Sequence, residues 1–238
     1  MKHGEARFLS CMYVLSLLLL AGFAANGLRS AAAVSAETAV PVVIVLDPGH
    51  GGMDGGAAGA DGTLESSLNL SIALKTDAVL GLLGEQTLLT RSTDADLSGP
   101  EAKTIFQKKV SDIRRRVEIV NSQAGALLLS IHCNTYSEEK YHGAQVFYTG
   151  TASKALAEVL QEALQAHVDP GNTRKAKTIS PDVYLMKHIT APGVLLECGF
   201  LSNPAELRNL KDPGYQNRLA VTIAVTAAGY RPENFSGV

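Results

Sequence analysis

The chain reads as an α/β fold, a single domain with a central, mostly parallel twisted sheet flanked by helices, and three features predict it. Two near-continuous apolar runs, Val42 to Leu46 and Ala126 to Ile131, have the character of strands covered on both faces, as parallel strands are. Segments with apolar residues at helical spacing alternate with short β-like runs. Several of those runs stop abruptly at side chains with acid, base or ligand chemistry, and open α/β sheets place their sites at strand C-terminal ends.

In chain order, Val42 to Leu46 forms the first strand, broken by Asp47, Pro48 and Gly49, so that His50 stands at its end. The loop to Gly59 is glycine-rich, which lets backbone pass close to a ligand or metal where a Cβ would clash. It fits a phosphate cradle poorly: neither G-x-G-x-x-G nor the Walker pattern with its Lys is present, and no helix begins until Glu65. Leu68, Ile72, Val79 and Leu83 give the first helix, with Gly84 as its C-terminal stop. Gln86 to Thr90 is a second strand leading to Arg91 and a polar loop, Ser92 to Glu101. Lys103 to Ser122 is a helix with Ile105, Val110, Ile113, Val117 and Val120 on one side; its Lys108, Lys109, Arg114, Arg115 and Arg116 read as a solvated face, with contact to an anionic polymer as the alternative. Ala126 to Ile131 then leads to His132. Gly143 to Tyr148 is a strand, Ala152 to His167 a helix, Thr173 to Ser180 a basic irregular loop, Val183 to Met186 a short strand, Val194 to Leu196 a strand ending at Glu197, and Tyr215 to Tyr230 a closing helix.

The N-terminus stands apart from this pattern. Lys2 and Arg7 precede an apolar run from Phe8 to Ala25, followed by small residues ending at Ala36. Residues 1–39 are therefore expected to be an export signal, cut after Ala33 or Ala36, or an uncleaved membrane anchor with linker, which puts residues 40–238 outside the cytoplasm. Those remaining residues suit one compact domain. A formal net charge of -2 gives no case for a nucleic-acid partner. Beyond the N-terminal segment only Cys133 and Cys198 remain, too few for a disulfide framework. Each follows a candidate site residue, so strand alternation points both away from the site as small apolar fillers, with a bridge or thiolate ligation as the alternatives.

Three strand ends thus carry a side chain capable of metal or proton chemistry, His50, His132 and Glu197, and Glu65 joins them at the start of the first helix. A catalytic zinc site takes three protein ligands and leaves a position open. Two His and one Glu match that set, with the second Glu free as general base, taking a proton from the attacking water and passing it to a leaving amine. Spacing does not say which Glu does which. Each residue also has an ordinary reading: Glu65 as a first-turn acid, His132 as a satisfied core histidine beside a turn-forming Asn134. Glu197 resists one, because a carboxylate at a buried strand end is costly unless it serves something. His142, His167 and His188 read as surface residues.

The runs LDPGHGGMDGGAAG, Glu65 with Asn69 and Leu70, Leu89 to Arg91, LLLSIHCN, and VLLECGFLSNPAE followed by Leu207 resemble, in order from about Val42 to Tyr230, the zinc-dependent N-acetylmuramoyl-L-alanine amidases. The segments NTRKAKTISPDVYLMKHITAPGVLLECGFLSNP and YHGAQVFY are similar to the germination-specific branch that acts on spore cortex. The resemblance implies Zn2+ on His50, Glu65 and His132, and Glu197 as the catalytic residue. It implies cleavage of the amide between N-acetylmuramic acid and L-alanine of the stem peptide, in cortex as the step before muramic lactam formation, in the intermembrane space of the developing spore. Peptidoglycan is the expected partner, with N-terminal membrane association and an activating protein left open. The short connection from Thr135 to Tyr141 leaves no room for the autoinhibitory helix of some relatives. Further expectations are Asp47 as acceptor for a histidine N–H and Asn134 as a donor to the oxyanion. Two rivals stand beside this reading: a glycosidase using Glu65 and Glu197 as its carboxylate pair, and a non-catalytic wall-binding module.

Overall fold

Strand β1 (Val43–Pro48) sits between β2 (Gln86–Leu89) and β3 (Ala126–Asn134), parallel to both. The computed structural model describes residues 42–230. Within them β6 (Gly193–Phe200) pairs with β3 in parallel, β4 (Gln145–Tyr148) pairs with β6 in antiparallel, and the two-residue β5 (Lys177–Thr178) adds to β4, giving the order β2-β1-β3-β6-β4-β5. The chain steps from β1 outward to β2 and back across to β3, so the order reverses around β1 and a crevice opens at the strand C-terminal ends. The expected mostly parallel sheet is therefore present, with β4 as its antiparallel member.

Side-chain alternation divides the core. On one face Ile44, Leu46, Leu127, Leu129, Ile131 and Leu196 pack against helices α1 (Glu65–Leu82), α3 (Gly150–His167) and α6 (Pro213–Gly229). Val45, Leu128 and Leu195 form a smaller cluster on the other face, beneath α2 (Ile105–Asn121) and the short α4 (Tyr184–His188). Each fully buried Leu or Ile contributes about 1.5–3 kcal/mol. Cys133 and Cys198 join the larger cluster, both free, and burial pushes both thiols up. They point away from the site and supply no thiolate.

The helix ends follow local chemistry. Thr104 and Gln107 cap α2 reciprocally, and Gly84, at φ 79°, follows the last residue of α1's C-cap. α5 (Pro204–Lys211) starts on Asn203, whose side chain accepts from the Ala205 and Glu206 amides. Three elements differ from the sequence reading, the first being β5, which lies inside Thr173 to Ser180, expected as an irregular loop. Val183 to Met186 falls at the start of α4 and is not a strand, and α5 lies where no helix is expected from apolar periodicity. The 1–39 segment lies outside the described residues; among those, no helix is long and apolar enough to cross a membrane.

Candidate metal centre

The site begins where β1 ends. A Cβ on Gly49 would lie 2.1 Å from Cε1 of His132, so glycine here lets the backbone lie flat against that imidazole. His50 follows at φ 60°, the one non-glycine residue with positive φ among the described residues. That conformation costs on the order of 1 kcal/mol. The loop then reaches α1 and caps it with backbone: the carbonyls of Ala57 and Gly55 accept from the amides of Glu65 and Ser66, at 2.8 and 3.0 Å. Leu64, the N-cap residue, offers no side-chain cap, so these carbonyls take over that role and fix Glu65 at the helix start.

His50, Glu65 and His132 consequently converge, each presenting one ligand atom within 4.8 Å of the others. Glu65 Oε2 lies 3.3 Å from His50 Nε2, and Oε1 lies 3.0 Å from His132 Nδ1. The carboxylate also accepts from the Ala57 amide at 2.9 Å and from the Cys133 amide and Asn69 Nδ2 at 3.2 Å. Burial opposes its charge, but His132 and then His50 hold it below the usual carboxylate range. Burial likewise disfavours a cationic His50, yet Glu65 and then Asp54 outweigh it and place its pKa at about 9. A shared carboxylate gripping two imidazoles is the donor chemistry of a three-ligand zinc site, and a cation there would replace the proton on His50. The residues fit the ion.

Glu197 completes the group from the opposite side. It is paired in register with His132 across β3 and β6, so both side chains leave the same face of the sheet. Its Oε2 is buried and has no hydrogen-bond partner. Burial pushes its pKa up to about 7, with His132 opposing and Glu65 adding to the rise. A carboxyl that titrates near neutrality beside a ligand cluster suits proton transfer.

Beneath the loop runs a network that sequence spacing does not show. Arg116 is 2% exposed. It donates to Asp47 Oδ1 at 2.7 Å, to the carbonyls of Pro48 and His50 at 2.8 and 2.7 Å, and to Asp112. Arg91 donates to the carbonyls of Pro48, Gly49 and Ser66. Arg116 is thus a buried clamp on the His50 loop and not part of a solvated face. Asp47 is correspondingly engaged by Arg116, Thr90 and Ser130, so it accepts from neither histidine; burial opposes its charge, and these partners hold it below the usual range. The acceptor for His50 Nδ1 is Asp54 at 2.9 Å, held in turn by Lys109 at 2.8 Å. Asn134 turns its carboxamide oxygen to the Thr135 amide, a local turn contact. His188 is exposed, as expected.

Residues 44–227 match the family model described as N-acetylmuramoyl-L-alanine amidase (Amidase_3). The chain belongs to this amidase family. It is 40% identical over 183 residues to the germination-specific N-acetylmuramoyl-L-alanine amidase of Bacillus subtilis, spanning 76% of each protein. Its fold matches the CwlD amidase of Clostridioides difficile, solved in complex with the GerS lipoprotein, at a TM-score of 0.75 and 39% identity over 78% of this chain and 96% of that one. The catalytic domain of the amidase CwlV from Bacillus (Paenibacillus) polymyxa matches at 0.65 and 30% identity, over 78% of this chain and 97% of that one. As an amidase of this family the chain is a peptidoglycan hydrolase, and the amide between N-acetylmuramic acid and L-alanine is its bond.

Proposed function

We propose that this amidase works with one zinc ion held by His50, Glu65 and His132, and that Glu197 carries the proton. The observation that supports this most is the pairing of a converged His–Glu–His set with an unpartnered buried carboxylate on the adjacent register position. Zinc bound there supplies Lewis acidity, polarising the lactyl carbonyl and easing ionisation of water. Glu197 accepts a proton from the water as its oxygen adds to the carbonyl carbon. The same carboxyl then donates that proton to the alanine nitrogen as the C–N bond breaks. Asp54 and Lys109 hold the imidazole of His50 in orientation. Glu65, with both oxygens committed to histidines and amides, is unsuited to the acid role that a glycosidase would ask of it.

The similarity to the germination-specific relative supports action on spore cortex, as the step before muramic lactam formation, by a protein exported through residues 1–39 and either released or anchored beside the forming wall, with residues 40–238 as the catalytic domain. The GerS complex of the CwlD relative supports a protein partner for this chain as well. The test uses the full-length chain: zinc content by elemental analysis, with release of L-alanine amines from purified peptidoglycan before and after chelation and zinc return. One zinc per chain and chelator-sensitive amine release are expected. New reducing ends without new amines, indifferent to chelator, would overturn the reading in favour of glycan cleavage.

A further inference from the structure

The basic loop after α3 carries one guanidinium that the fold fixes in place and leaves without a counter-ion. Arg174 Nε donates to the His142 carbonyl at 2.6 Å and Nη1 to Gln145 Oε1 at 2.9 Å. Its guanidinium carbon lies 4.5 Å from the ring centroid of Phe200, a buried residue at the end of β6. The backbone beneath is fixed too: Gln165 Nε2 donates to the carbonyls of Asn172 and Arg174, and Asn172 Oδ1 accepts from the Arg174 amide at 3.0 Å. Among the described residues no carboxylate pairs with it, although the loop's arrangement removes much of the freedom such a long side chain loses on binding.

Its place in the sheet gives this charge a direction. Gln145, which holds Arg174, is paired in register with Glu197 across β4 and β6. The strand order puts β1 and β3, with His50 and His132, on one side of β6, and β4 with Gln145 and Arg174 on the other. Glu197 hands its proton to the alanine nitrogen, so the peptide side of the bond lies at Glu197 and leads away from the histidines, toward β4. The residue after L-alanine in a stem peptide is a γ-linked D-glutamate, whose α-carboxylate is either free or amidated. One strand spacing, about 4.8 Å, and one side chain separate Glu197 from the guanidinium, the reach of the next residue of an extended peptide.

We infer that Arg174 is a specificity-determining residue of the substrate site, receiving the free α-carboxylate of the second stem-peptide residue; this rests on the amidase reading and on Glu197 as the proton carrier. Arg forms charge-assisted, bidentate pairs with carboxylates that a carboxamide cannot reproduce. The zinc-loaded full-length chain is given two muramyl peptides that differ only in a free carboxylate or a carboxamide at that position. Turnover is followed together with calorimetric binding of the two corresponding free peptides. The parent is expected to favour the acid about 10- to 100-fold, mainly in KM and in peptide affinity. R174Q should bring the ratio to within about twofold, chiefly through a fall in kcat/KM and in peptide affinity for the acid. R174K, which keeps the charge, should retain a preference for the acid and decides the matter if R174Q does not melt cooperatively. A parent that does not discriminate, an R174Q variant that loses both substrates equally, or an R174K variant with no preference would overturn the assignment. A parent that cleaves neither substrate would show that the chain does not act without its protein partner, while the peptide-affinity ratio would still decide the role of Arg174.

Discussion

The two carboxylates that leave the same sheet face, Asp47 and Glu197, are treated in opposite ways. Asp47 lies at the end of β1 with Arg116, Thr90 and Ser130 satisfying it, and its charge is secure. Glu197 lies at the end of β6 with one oxygen buried and unpartnered, and its charge is held back to about neutrality. A buried polar group that is fully satisfied fixes geometry, whereas one left unsatisfied stores free energy that a reaction can use. The loop half of the site is therefore scaffold and the β6 half is reagent.

That contrast breaks most sharply at Glu197. E197Q should lower kcat on peptidoglycan on the order of 10²- to 10⁴-fold with zinc content unchanged by elemental analysis; retained turnover would remove its assigned role. At Asp47 the loss should appear in stability instead. R116M leaves a buried carboxylate unpaired and should cost about 3–5 kcal/mol in urea unfolding, part of which D47N/R116M recovers. The sign with pH follows from the lowered folded pKa of Asp47: its contribution is present above the unfolded value near 3.8 and fades as pH falls below it toward the folded value. The gap between parent and the double variant should therefore narrow below that pH. An intermediate effect is expected at Asp54. D54N should weaken zinc affinity about 10- to 100-fold in chelator competition, with turnover at saturating zinc close to that of the parent. The smallest effect sharpens the comparison from the other side. In the metal-free protein, ionising Glu197 opposes folding, so E197Q should raise the melting temperature at pH 8; the advantage should shrink through pH 7 and vanish below about 4.5, where the parent carboxyl is neutral in both states.

Most of the sheet was legible because strands buried on both faces declare themselves as near-continuous apolar runs, as in Val42 to Leu46 and Ala126 to Ile131. His50, Glu65, His132 and Glu197 were legible as strand or helix ends, although spacing alone left the two glutamates interchangeable. What separates them is structural: Glu65 has both oxygens committed, Glu197 does not. Val183 to Met186 misled because a four-residue apolar run serves a buried helix turn as well as a strand. α5 carried a signal in Asn203 followed by Pro204, an N-cap and first-turn pair, that apolar periodicity does not weigh. Arg116 was hidden in a run of basic residues, since its local partner Asp112 makes an ordinary helix pair one turn away, like that of Arg115 with Glu118 on the surface, and the acceptors that bury it, Asp47, Pro48 and His50, lie far away in the chain. Asp54 was hidden in the same way, one acid in a loop whose fold sets its partner.

The direct pairing of His132 with Glu197 has a bearing on control. Two residues on neighbouring, mutually hydrogen-bonded strands cannot be drawn apart without opening the middle of the sheet, so no inhibitor or activator can work by separating them. The loop from Gly49 to Glu65 has no such restraint: it is held by side chains of Arg91 and Arg116 and by its own short bridges. A change in that loop would reach activity through His50 and Glu65, which take their place from it.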